Sequence, residues 1–336
     1  MKVETKNKLR NFLRIFLFLS SLAILFFLLR SIGFDKVGES FVRVGLGGAI
    51  ILIICRFIEN GSDAYGLFLS LPKRKSFLKI FAANCLGTLT NYVIPWEAGE
   101  FVKIGIIKSE CGSESAIKGV VLWNYVFKLS KGFAILSMVL FSVVFSFFSA
   151  DEFYQFDKFW LMFFCSVLGF LPYFGLMILI HSNISVKIVK LLKFLGKKDT
   201  DGLMKKAEKM DSDLKLFRKE RPSDYKRTFW SQFFARYVSL LTFVLCTYFA
   251  GFSDHTVSVL ILTYCAINLG DYVSAFIPMK LGVGEGMGYI IFAFMGLPGE
   301  NGGLITFILR INAIIAMSIV SSLIIVKSKD KNEITQ

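Results

Sequence analysis

Apolar residues in this chain come in long blocks separated by short charged stretches. Such blocks cover roughly residues 12–29, 48–69, 118–148, 158–180, 229–250 and 303–326. A hydrocarbon core of about 30 Å takes about 20 apolar residues per helix, so each block predicts a membrane-spanning helix. Two further regions, 80–107 and 256–297, are apolar but broken, the first by NYVIPWEAGE at 91–100 and the second by IPMKLGVGEG at 277–286. Proline removes a backbone donor and glycine permits a tight turn. Each broken region therefore predicts a helical hairpin. The expected fold is all-α, a polytopic integral membrane protein in one transmembrane domain over 1–336.

Charge fixes the expected orientation. The chain is 54% hydrophobic with a formal charge of +14. In a soluble protein that charge would suggest nucleic acid. Here the lysines cluster between apolar blocks and read as topology determinants, so no nucleic-acid partner is expected. Basic clusters lie at the N-terminus (Lys2, Lys6, Lys8, Arg10, Arg14), in the loop 72–79, in the segment 182–228 and at the C-terminus. All four are expected on the cytoplasmic side, with the acidic linker 149–157 outside. The basic start followed by an apolar run resembles a signal peptide. The run ends in LLRSIGFDK without a cleavage pattern, so an uncleaved first span is expected. Both termini are then cytoplasmic, in the plasma (inner) membrane.

Counting crossings on that basis gives an internal repeat. The half 12–148 carries hairpin 80–107, entering from the cytoplasm. The half 158–326 carries hairpin 256–297, entering from outside. Inverted repeats of this kind are a device of secondary transporters. The motifs agree: Pro95 precedes Gly99-Glu100 as Pro278 precedes Gly284-Glu285. Arg56 and Arg236 come before the two prolines at similar spacing, and Lys128 and Arg310 follow the two glutamates at similar spacing.

Candidate chemistry concentrates at these places. A charged side chain at the bilayer centre costs about 2.5–3.5 kcal/mol, which singles out Glu97, Glu100 and Glu285. The half-helices after Gly99 and Gly284 begin with unpaired amides and a partial positive charge, which suits an anion. Glu100 and Glu285 can pair with Lys128 and Arg310 or carry a coupling proton; equally, they can cap their own hairpins. Arg56, Glu59, Asn60 and Asp63 share one helical face, as an internal ion-pair network or as a polar path. Lys128 and Lys131 can hold a phosphate or snorkel. The segment 186–198, VKIVKLLKFLGKK, has apolar residues near helical spacing and suits an anionic leaflet. Trp160 and Trp230 read as interface anchors. The six cysteines form no CxxC pair, and the two histidines have no partner at ligand spacing. No metal or cofactor is expected, and no G-x-x-x-x-G-K-[ST] nucleotide motif occurs.

The stretches NYVIPWEAGEFVKIG (91–105) and IPMKLGVGEGMGYIIFAFMGLP (277–298), with Arg310 after them, resemble the flippase-like, or lysylphosphatidylglycerol synthase transmembrane-region, family. The likeness rests on Asn91, Pro95, Gly99, Glu100 and Lys103, the last usually arginine in the family, and on Pro278, Gly282, Gly284 and Glu285. It implies handling of membrane lipids with phosphate head groups. In larger relatives a similar region precedes a soluble transferase domain that adds lysine to phosphatidylglycerol; others are linked to polyprenyl-linked sugars. The longest hydrophilic segment here, 182–228, is too short and lysine-rich for a transferase fold. The expected function is therefore movement of an anionic or modified phospholipid or a polyprenyl-linked lipid. The alternatives are head-group modification, phosphatidylglycerol lysyltransferase-like, with Glu100 and Glu285 as acid and base, or a scaffold for a separate lipid-modifying enzyme.

Overall fold

The computed structural model describes residues 33–74, 76–93, 98–148, 201–252, 257–273 and 282–333, with a few isolated positions at 26, 30 and 160–167. The predicted spans 12–29 and 158–180, the segment 186–198 and the prolines of both hairpins lie outside the described residues or nearly so. Among the described residues the fold is all-α. Its helices are α1 (Phe34–Ser70), α2 (Phe77–Val93), α3 (Ala98–Cys111), α4 (Ser113–Phe148) and α5 (Asp201–Glu220), then α6 (Pro222–Phe249), α7 (Val257–Val273), α8 (Val283–Phe294) and α9 (Gly299–Glu333). Four of them, α1, α4, α6 and α9, contain stretches long and apolar enough to cross a membrane. At 1.5 Å per residue, α3 and α8 extend only about 21 and 18 Å.

Helix boundaries depart from the hydropathy blocks where polar residues continue a helix. α1 starts well before residue 48, and its apolar block begins just after an elbow at Gly45 (φ 60°, ψ 176°). That left-handed φ is open to glycine without strain. α6 starts at Pro222, whose fixed φ and missing donor suit a first helical position, and so takes in the end of the basic segment. The rest of that segment, where described, is α5. It is strapped to α4 by Lys118–Asp213 at 2.6 Å and Lys209–Glu114 at 2.8 Å, and by Phe217 packed on Leu122 and Val126.

Side-chain pairings give the relative directions of the long helices. Gly48 of α1 lies against Phe249 of α6, Asp63 against Arg236, and Gly66 against Ser231. These two helices therefore run antiparallel. α9 runs with α1: Lys36 pairs with Glu300, Phe41 with Phe307, and Asn312 donates to the Ala49 carbonyl. α4 runs with α6, since Leu122 and Val126 pack beside Tyr225 and Phe229 while Ser137 bonds Tyr237.

The order long, short, short, long occurs twice, as α1–α4 and as α6–α9. Exchanging the two sets maps every substantial packing onto another. α2 packs on α9 as α7 packs on α4, and α3 packs on α4 as α8 packs on α9. α1 packs against α6, its own counterpart. Because those two helices are antiparallel, the axis relating the sets lies across the helices rather than along them.

In the first set the two short helices run in opposite directions beside α1. Phe77 sits beside Phe68 near the end of α1, Asn84 donates to the Asn60 carbonyl, and Tyr92 lies within electrostatic reach of Arg56. α3 then climbs back until Ile107 packs with Leu67 and Leu71, and Lys79 and Glu110 close the base at 2.5 Å. In the second set, α8 begins where Glu285 meets Arg310 and runs antiparallel to α9 until Tyr289 reaches Gly299.

Candidate functional site

Three charged groups lie among the described helices. The first is at the crossing of α1 and α6. Arg56 Nη1 lies 2.5 Å from Glu59 Oε2, Arg236 Nη1 3.5 Å from Glu59 Oε1, and Arg236 Nη2 2.5 Å from Asp63 Oδ2. Glu59, Asn60, Asp63 and Arg236 are all buried. The expected polar face of α1 is thus turned into the protein. Two arginines and two carboxylates balance in charge, which lets them remain ionised away from water. Aromatic rings complete the setting: Arg236 lies over Phe127 at 5.1 Å, and Phe127 stacks on Trp123.

The second group lies at the turn of the first hairpin. Gly99 packs so closely on Gly87 that a Cβ there would lie 1.8 Å from the Gly87 carbonyl oxygen. The Gly99 amide donates to Asn91 Oδ1 at 2.7 Å. Glu100 pairs with Lys103 at 2.9 Å, one turn on, rather than taking the partner expected at Lys128. Lys103 is 2% exposed; its chain crosses Gly87 and its ammonium sits 4.0 Å from the centre of the Trp123 ring. Lys103 also lies within electrostatic reach of Asp63. Glu100, Lys103, Asp63, Arg236, Glu59 and Arg56 thus form one chain of alternating sign.

The third group closes the second hairpin. Gly282 (φ 76°) donates its amide to Glu285 Oε2 at 2.9 Å, so Glu285 caps its own helix. Glu285 is fully buried, and Arg310 Nη1 stands 3.0 Å from its other oxygen. Gly284 gives Arg310 room: a Cβ there would come within 2.9 Å of Nη2. Of the two pairings weighed from sequence, Glu285–Arg310 forms. Amides at both turns that suit an anion are in part already taken by Asn91 and Glu285.

Residues 11–321 match the lysylphosphatidylglycerol synthase TM region family. The chain belongs to that family. No curated protein and no solved structure matches it. Membership of this family and the four span-length helices make the chain an integral membrane protein.

Of the other sequence candidates, Lys128 is exposed on α4, while Pro95, Glu97 and Pro278 lie outside the described residues. Sequence reasoning missed Trp123, Asn84 and Gln232. Trp123 donates to the Asp63 carbonyl at 3.0 Å, and Gln232 donates to the Trp123 carbonyl at 3.4 Å. No signal marked them, since an isolated polar or aromatic residue in an apolar helix has no partner visible along the chain. Arg236 did carry a signal: it is an arginine inside an apolar block, at the position matching Arg56. Among the described residues no group of His, Cys, Asp and Glu is placed to hold a metal ion.

Proposed function

We propose that this family member is a membrane lipid transporter. It moves an anionic or modified phospholipid, or a polyprenyl-linked lipid, between leaflets. The observation carrying this reading is the antiparallel packing of α1 on its own counterpart α6, with short-helix hairpins turning beside buried charge. Such an arrangement is that of an inverted-topology repeat, in which each hairpin enters from a different face and turns inside the membrane. Irregular backbone is tolerated there only when protein or water covers it. The pairs Glu100–Lys103 and Glu285–Arg310, at the starts of α3 and α8, place cations where a phosphate head group can be met once the short helices part. The Lys79–Glu110 end, carrying the basic segment, faces the cytoplasm.

The test is reconstitution. Purified protein in vesicles of phosphatidylglycerol and phosphatidylethanolamine is loaded with a fluorescent phosphatidylglycerol, and outer-leaflet probe is quenched chemically. Transport brings inner-leaflet probe within reach of the quencher. Probe fully protected over hours, in protein that is folded by gel filtration, rejects the reading. The family's name favours a second reading, a membrane partner for a lipid-modifying enzyme. Head-group modification that appears only when the protein and a transferase are combined would support that one.

A further inference from the structure

We propose that Asp63 is an exchangeable proton site, and that its protonation loosens the grip of hairpin α2–α3 and helix α6 on α1. As a coupling device it rests on the transport reading above; as a proton site it does not.

Asp63 is 8% exposed. Its Oδ2 accepts from Arg236 at 2.5 Å, while its Oδ1 is buried with no donor. Asn84, 1% exposed, also has a buried Oδ1 without a donor. The Asn84 amide is fixed on the Asn60 carbonyl at 3.3 Å, in the turn of α1 that contains Asp63. Gln232, whose Cγ and Nε2 lie against Gly66 one turn further on, has a buried Oε1 without a donor too. The lining therefore offers acceptors in excess. A buried acceptor left unpaired keeps its desolvation penalty without a compensating bond. A proton on Asp63 turns one of these acceptors into a single O–H donor and lowers the excess.

The other carboxylates are less suited. Both Glu59 oxygens face arginines, and Glu285 is held by its own helix cap and by Arg310. Glu100 has a free oxygen, but its side chain is 17% exposed and its cation partner lies on its own helix. Asp63 instead stands between cations carried by different elements, Lys103 on α3 and Arg236 on α6. Among the described residues, the other charged or titratable groups near this network are Glu59 and Arg56 on α1 and Tyr264 on α7, with Cys85 on α2 near Lys103. α4 contributes Trp123. In the step itself a hydronium ion passes its proton to Oδ1: one O–H bond of the hydronium breaks, leaving water, one O–H bond forms on Oδ1, and the carboxylate becomes neutral. Its attraction for Lys103 and Arg236 then falls, and the two halves lose one of their links.

The experiment is infrared difference spectroscopy of the purified chain in lipid nanodiscs as pH is stepped. A protonated-carboxyl band is expected to appear reversibly in the unmodified protein. It should be lost in Asp63→Asn, shifted in Asp63→Glu and kept in Glu285→Gln. If Asp63→Asn fails to fold, the Asp63→Glu shift is the deciding readout. A full band in folded Asp63→Asn, or an unshifted band in Asp63→Glu, overturns the proposal. Vesicles carrying the fluorescent phosphatidylglycerol and an imposed pH gradient separate the two readings. No probe movement together with a band assigned to Asp63 leaves the site standing and removes the transport reading. Probe movement indifferent to the gradient, with no Asp63 band, overturns the site and keeps transport.

Discussion

Substituting Gly99 by alanine should open the first hairpin. A Cβ at Gly99 would stand 1.8 Å from the Gly87 carbonyl oxygen and 2.7 Å from Asn91 Oδ1. Close C–H···O contacts settle at about 3.3 Å, so α2 and α3 must part by about 1.5 Å at this point. Backbone is what stands in the way, and no rotamer change relieves it. Overpacking of this kind costs about 1–3 kcal/mol. Parting the helices also stretches the bond from the Gly99 amide to Asn91, worth about 0.5–1.5 kcal/mol net. The total of about 1.5–4.5 kcal/mol corresponds to a fall of about 2–6 °C in the apparent thermal midpoint, at an unfolding entropy of about 2.1 cal/mol/K per residue. Gly105→Ala is the matched control, since it lies on the same helix with nothing within 4 Å of its Cβ. It should leave the midpoint unchanged or raise it slightly through helix propensity. The assay is gel filtration of detergent-solubilised protein after heating. A Gly99→Ala midpoint at or above that of Gly105→Ala would refute the tight hairpin.

Arg236→Gln should be among the most damaging single changes, because it leaves buried Asp63 without its hydrogen-bonded cation and Glu59 with Arg56 alone. Breaking one side of such a pair costs about 3–5 kcal/mol; the double variant Arg236→Gln with Asp63→Asn should recover part of the loss in the same heating assay, and strict additivity would deny the coupling. Glu285→Gln should lower the midpoint more than Glu100→Gln, because Glu285 is sealed against Arg310 whereas Glu100 is partly exposed; the reverse ranking would count against the second hairpin's closure. On a cysteine-free background, Lys36→Cys and Val257→Cys should react with a membrane-impermeant maleimide from one side, and Lys79→Cys and Lys226→Cys from the other. Labelling of Val257→Cys and Lys79→Cys from the same side would remove the opposed entry of the hairpins.

Much of this architecture was legible along the chain because membrane solvation writes a coarse code. Block length gave the long helices, and Pro, Gly and Glu inside the apolar regions 80–107 and 256–297 marked where short helices meet. The face shared by Arg56, Glu59, Asn60 and Asp63 was visible from helical spacing alone, and burial of Glu59, Asn60 and Asp63 follows it. Partners were far less legible. Spacing offered Lys128 to Glu100, but an arm of only 14 residues leaves Lys103 one turn away on the same helix, and Gly87 clears the space its side chain needs. Arg310 reaches Glu285 across a helix contact opened by glycine at Gly284, Gly288 and Gly302. Such close approaches are tertiary facts, and a glycine in a sequence does not say what it lies against.

The two halves are alike in helix order and unlike in chemistry. Where the first half has Glu59 and Asp63, counting from the arginine in each half, the second has Ser239 and Phe243. Both arginines, Arg56 and Arg236, must therefore share acids supplied by α1 alone. This confines the alternating chain of charge to one direction, from the α1–α6 crossing through Lys103 to Glu100 in the first hairpin. Among the described residues the second hairpin shows no comparable route, since Glu285 caps its own helix and faces Arg310. A two-fold scaffold so loaded treats its hairpins unequally: one turn is electrostatically joined to the centre of the molecule and the other is sealed off beside α9. Any signal carried by charge at the crossing reaches the first hairpin before the second. The second hairpin is reached through packing, by way of α9 and its contact with α2.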